Sequence, residues 1–148
     1  MTTMQKLSFR LPARGCVAML VAAATLGACR QTTFDDQAEA QAAEFTAKQC
    51  PMKIADGVVV DSMTYSKPLR CISYFYTMSG AMDDAKLVQG NLGMLREGVL
   101  TSVQNSVELK RAKDEGVTFR YVYLSAKTHR PMASIVIRKA DYSAPATK

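Results

Sequence analysis

Val88, Leu92, Leu95, Val99 and Val103 are spaced by four, three, four and four residues, which puts them on one face of a helix. On both sides of that stripe the pattern changes. Residues 57–65 and 70–78 are rich in β-branched and aromatic residues, with Ser66-Lys67-Pro68 as a turn between them. Residues 117–125 and 133–139 repeat the pattern around Lys127-Thr128-His129-Arg130. An amphipathic helix must cover apolar surface. The elements therefore predict an α+β domain, a four-stranded antiparallel sheet of two β-hairpins with the helix laid across it.

A further helix precedes the first hairpin, giving the order α-β-β-α-β-β. Asp35 or Asp36 can cap it, because a carboxylate accepts the unpaired amides of a first turn. Cys50-Pro51 ends it, since the residue before proline is pushed out of the helical region. Its apolar residues are mostly alanines, so it reads either as a helix lying lightly on the domain or as a stalk. The long helix starts at Asp83 or Asp84. Asn105 with Glu108 resembles a capping box where the chain breaks and restarts over residues 106–114, and Gly116 suits the closing cap. In the second hairpin, setting Tyr121 opposite Ile137 places Tyr123 opposite Ile135, Val122 opposite Val136 and Arg120 opposite Arg138. Tyr74, Phe75, Tyr76, Phe119, Tyr121 and Tyr123 then read as core and cross-strand packing. A sugar-stacking platform is the alternative, and the absence of Trp counts against it.

Residues 1–15 are basic and free of acids, and Cys16 to Ala28 form an apolar run of thirteen residues. A bilayer span takes about twenty, so the run reads as an export signal. It ends in Thr25-Leu26-Gly27-Ala28-Cys29, which resembles the lipobox of bacterial lipoproteins. The resemblance implies that residues 1–28 are a cleaved lipoprotein signal peptide and that Cys29 is the lipid attachment site. Residues 29–34 would then tether a single domain at 35–142, followed by a flexible tail at 143–148. It also implies a place in the bacterial cell envelope, with acyl chains in the inner or outer membrane. The alternative is an ordinary secretory signal cut near Ala24.

Compartment decides the cysteines. Cys16 leaves with the leader, while Cys50 and Cys71 remain as an even pair in a chain that folds outside the cytoplasm. That setting implies a Cys50–Cys71 disulfide, with two free thiols as the alternative. No metal is expected, because the pair and the single His129 do not complete a zinc shell. No cofactor is expected either.

Lys6, Arg10 and Arg14 supply three of the 19 basic residues, which leaves 16 against 13 acidic ones in the mature part. So small a surplus argues against nucleic acid as a partner. Arg120 opposed to Arg138 would juxtapose like charges on a sheet. With Lys127, Arg130, Lys139 and the Lys110-Arg111-Lys113 run, the two form a candidate face for an anion, a lipid headgroup or an acidic partner. A solvated face interspersed with Glu108, Asp114 and Glu115 is the other reading. No serine elbow, phosphate-binding glycine loop or metal-ligand spacing occurs, so no catalytic residue is expected.

Residues 48–142, with their Cys-Pro entry, aromatic hairpin, long helix and Gly-Val-Thr-Phe-Arg-Tyr-Val-Tyr strand, resemble small bacterial envelope domains of unknown function. The expected role is a membrane-anchored, non-enzymatic binding or assembly module that meets a protein or another envelope component. The alternative is an inhibitor of a hydrolase such as lysozyme or a protease, acting through the loop Lys127 to Pro131.

Overall fold

The computed structural model describes residues 32–144. Cys29, the cleavage site and the end of the expected tail lie outside them. Helix α1 (Phe34–Gln49) leads into strands β1 (Met52–Ala55), β2 (Val58–Ser66) and β3 (Cys71–Met78). A 3₁₀ turn and helices α2 (Ala85–Gly90), α3 (Leu92–Asn105) and α4 (Lys110–Asp114) follow, then β4 (Thr118–Ser125), β5 (Pro131–Ile137) and α5 (Lys139–Ser143).

The sheet has five strands in the order β1-β2-β3-β4-β5, and β3 pairs with β4 in parallel. It is a mixed sheet, which corrects the expected four antiparallel strands. Two physical causes account for the difference. Asp56-Gly57, with Gly57 at φ +75°, closes a tight β1–β2 hairpin, and an aspartate-glycine pair suits such a turn. The connection from β3 to β4 carries three helices, long enough to return to the start of β3, as a parallel pairing requires.

Helix α1 begins one residue before the expected aspartates. Thr33 caps it, accepting from the Asp36 amide, while the Asp36 carboxylate accepts from the Thr33 amide. The long helix is split at Asn91, whose Nδ2 donates to the Leu87 carbonyl at 2.8 Å. Asp84 caps α2 as expected, accepting from the Lys86 and Leu87 amides. The restart comes later than expected: Ser106 ends α3, its Oγ accepting from the Leu109 amide, and α4 starts only at Lys110 without a side-chain cap. Gly116, at φ +72°, closes α4 as expected.

Ile72, Tyr74, Tyr76 and Met78 lie beside Phe119, Tyr121, Tyr123 and Ser125 on one sheet face. Ile135 and Ile137 extend that face on β5. The core gathers there, with Phe119, Ile137, Val103 and Val117 fully buried. The predicted stripe is real: Val88 and Val103 are buried, and Leu92, Leu95 and Val99 pack against the core. Helix α1 settles on β2 through Ala38 and Ala42, whose small side chains allow close approach. Met63 donates its amide to Thr46 Oγ1 at 2.8 Å and accepts from it through its carbonyl at 2.8 Å. The helix thereby satisfies a strand edge that β1 is too short to reach.

Candidate functional site

A groove of about 510 Å³ opens on the helical side of the sheet. Its floor is a ladder of tyrosines. Tyr74 stacks on Tyr121 at 5.2 Å, Tyr121 faces Tyr76 at 6.2 Å, and Tyr76 stacks on Tyr123 at 5.3 Å. Parallel pairing of β3 with β4 creates this ladder, because it sets Tyr74 beside Tyr121 and Tyr76 beside Tyr123. One wall is α3. Met94, Gly98 and Ser102 are spaced by four and share a helical face, and a Cβ at Gly98 would meet nothing within 4 Å. Ile54, Val58, Met78 and Met82 complete the rim.

No charged residue lines the groove. Burial raises all four tyrosine pKa values, with Tyr74 pushed up to about 12 by burial and then by the Glu108 carboxylate. The floor is therefore neutral at physiological pH, and none of its hydroxyls is a fully buried orphan. A second hollow of about 320 Å³ adjoins the first, sharing Met78, Met82, Met94 and Leu95 and adding Leu87. Met94 is 73% exposed and Leu87 45%, although both are large and apolar. Large apolar side chains thus stand exposed around a neutral concave floor.

Other contacts hold the α3 wall in place. Arg96 donates to the Val136 carbonyl at 2.7 Å and pairs with Asp141 at 2.8 Å. The Lys113 ammonium donates to the carbonyls of Val103, Gln104 and Ser106, closing the end of α3.

The expected basic face is not assembled. Arg120 pairs with Val136, not Arg138, because the β4–β5 register lies two residues from the expected one. Its Nε donates to Ser73 Oγ at 3.0 Å on the sheet face opposite the groove. Arg138 instead precedes α5, its amide donating to the Asp141 carboxylate. Lys127 and Arg130 sit in the β4–β5 turn, beyond the end of β4 at Ser125, itself five residues or about 17 Å from Arg120. Lys110 pairs with Asp114, and the Arg111 guanidinium lies over the Phe34 ring. The turn from Lys127 is tied down by Asp83, which accepts the Lys127 amide, and by Ser125, which accepts the Thr128 amide. His129 sits in it, exposed, at φ +56°.

The expected Cys50–Cys71 disulfide is not shown, and both cysteines are free thiols in this structure. Cys50 lies close to Asp61, and burial followed by the Asp61 charge pushes its thiol pKa up. Cys71 pairs with Ser66, five residues further along β2, or about 16 Å away. A bridge needs Cα atoms within about 7 Å. Among the described residues, no group of three His, Cys, Asp or Glu is placed to hold a metal, and no helix is long and apolar enough to cross a membrane.

Sequence reasoning found the tyrosines as packing residues but missed Ile54, Met82, Met94 and Leu87 as a rim. For Leu87 and Met94 the available signal was large apolar residues just off the α2–α3 stripe.

A family model covers residues 33–133, from the cap of α1 into β5. The protein belongs to the family described as domain of unknown function DUF8479. No curated protein matches the chain. Solved structures share the fold at low identity. One is a Pseudomonas aeruginosa protein assigned as secreted, with TM-score 0.64, 16% identity and coverage of 73% of this chain and 91% of that one. A second is a pilotin of the Vibrio vulnificus type 2 secretion system, with TM-score 0.56, 14% identity and coverage of 75% and 93%. A third is a type II secretion system pilotin from Vibrio cholerae, with TM-score 0.51, 11% identity and coverage of 72% and 90%.

Proposed function

We propose that this member of DUF8479 is a small envelope lipoprotein, anchored through Cys29, that serves as a non-enzymatic accessory module. Its tyrosine-floored groove binds an apolar segment of a partner protein. The observation that carries this reading is the uncharged, open groove of about 510 Å³ with exposed Met94 on its wall. A fold shared with secretion-system pilotins supports an envelope location and a protein partner. An apolar segment fits better than a charged one, because no lining residue could compensate a buried charge.

The test fills the groove without disturbing the core. Gly98 lines the groove and a Cβ there meets nothing within 4 Å, so Gly98→Phe adds a ring from the groove wall. Proteins co-purifying with the chain from its host membranes are expected to drop out with this variant, while its urea midpoint stays near that of the parent. An unchanged set of co-purifying proteins would contradict the groove as the binding site.

A further inference from the structure

We infer that the β2–β3 turn, Ser66 to Cys71, is a second membrane contact that seats the domain on the bilayer with the Met78 end of its groove furthest from it. The inference rests on the lipoprotein reading, since it takes Cys29 as the acylated residue. From Cys29 to the Thr33 cap is four residues, so the start of α1 lies within about 14 Å of the anchored Cα.

Several contacts fasten the turn to that same helix end. Lys67 pairs with Asp36 and Glu39, each at 2.8 Å. Arg70 pairs with Asp35 at 3.3 Å and lies over the Phe34 ring at 5.8 Å. Tyr65 donates its hydroxyl to Asp35. Whatever interface holds Cys29 therefore also lies within reach of the turn. At its tip are Pro68, which is exposed, and Leu69, which is 70% exposed. The Arg70 amide donates to the Lys67 carbonyl at 3.2 Å, which sets Pro68 and Leu69 at the apex of a tight turn.

This end carries no surplus of positive charge, because Lys67 and Arg70 are each paired with two carboxylates, Asp36 and Glu39 for the one and Asp35 and Glu115 for the other. The partner it fits is the apolar side of a bilayer interface, entered by Leu69 while the Lys67 and Arg70 stems keep their charges in the headgroups. Anionic lipid is not required. From Cys71, β3 reaches the groove floor at Tyr74 three residues on, about 10 Å, and the far end of the groove at Met78 seven residues on, about 23 Å. Seating the turn in the bilayer therefore holds the Met78 end of the groove furthest from it.

The test places one environment-sensitive fluorophore on the acylated protein in vesicles of phosphatidylethanolamine and phosphatidylglycerol with brominated chains. Cys50→Ser removes the partly exposed thiol, and Cys71 stays because it is buried. A label at Leu69→Cys is expected to shift to the blue and to be quenched several-fold more than one at Met94→Cys. The result is expected to hold when the anionic lipid is left out. Equal, weak quenching at both positions on a protein whose intact mass shows the acyl chains would overturn the membrane contact alone. A mass without acyl chains would remove the lipoprotein reading as well. Quenching at Leu69→Cys only with anionic lipid would overturn the apolar mode of contact.

Discussion

Two helices lie on the same sheet face and make opposite kinds of contact with it. Helix α1 closes its contact. Ala38 and Ala42 bring it down onto β2, Thr46 satisfies both backbone groups of Met63, and its first turn is ion-paired to Lys67 and Arg70. Helix α3 leaves its contact open. Leu95, Val99 and Val103 reach the core, but Met94 remains 73% exposed above the tyrosines, and Gly98 leaves space unfilled. The closed side contributes architecture, whereas the open side forgoes burial it could have had. That difference is what the proposed binding role of the groove rests on.

The comparison can be broken most severely from below. Phe119 is fully buried in the core the two helices share. Phe119→Ala is expected to cost about 3–5 kcal/mol in urea unfolding, loosening both sides together. Ala42→Leu separates them, since added methylenes have nowhere to go under α1. A loss of about 1–3 kcal/mol is expected there, with partner binding retained in the surviving folded fraction. Gly98→Ala is the matching change on the open side. It is expected to stabilise by up to about 1 kcal/mol, because helix propensity improves and the new methyl meets nothing within 4 Å.

Acid sharpens the contrast more gently. Asp36 is held well below the usual carboxylate range by its hydrogen bonds from Lys67 and then Thr33. A carboxylate with a depressed folded pKa contributes stability above its unfolded pKa, near 4, and that stability is lost as pH falls towards the folded value. Lys67→Gln is expected to flatten the stability–pH curve below about pH 4. The tyrosine ladder should be unaffected there, because its pKa values are shifted upward. An unchanged acid slope would show that the ion-paired end of α1 adds little.

Periodicity and capping made much of this legible. The α3 stripe, the Asp84 and Gly116 caps, the end of α1 at Cys50 and all four long strands are where the residue pattern puts them. Strand β1 was missed because Met52–Ala55 has only four residues, and only Asp56-Gly57 announced its hairpin. Parallel pairing was missed because the direction of β4 depends on where a three-helix connection emerges, and no local pattern encodes that. The basic face dissolved for a related reason. A two-residue change of register preserves which residues share a face, so the hydrophobic pattern could not distinguish Val136 from Arg138 as the partner of Arg120. The disulfide rested on compartment alone, and compartment says nothing of distance. The groove was legible only in its floor, since its rim joins β1, β2, the 3₁₀ turn and α3 across the parallel crossover.

The most direct test places a photo-crosslinking amino acid at Met94 on the groove wall and, in a second protein, at exposed Ala40 on α1, both in living cells. The expected result is an adduct with an envelope protein from position 94, absent from position 40 and abolished by Gly98→Phe. No protein adduct from position 94, or the same adducts from both positions, would contradict a groove that binds a partner.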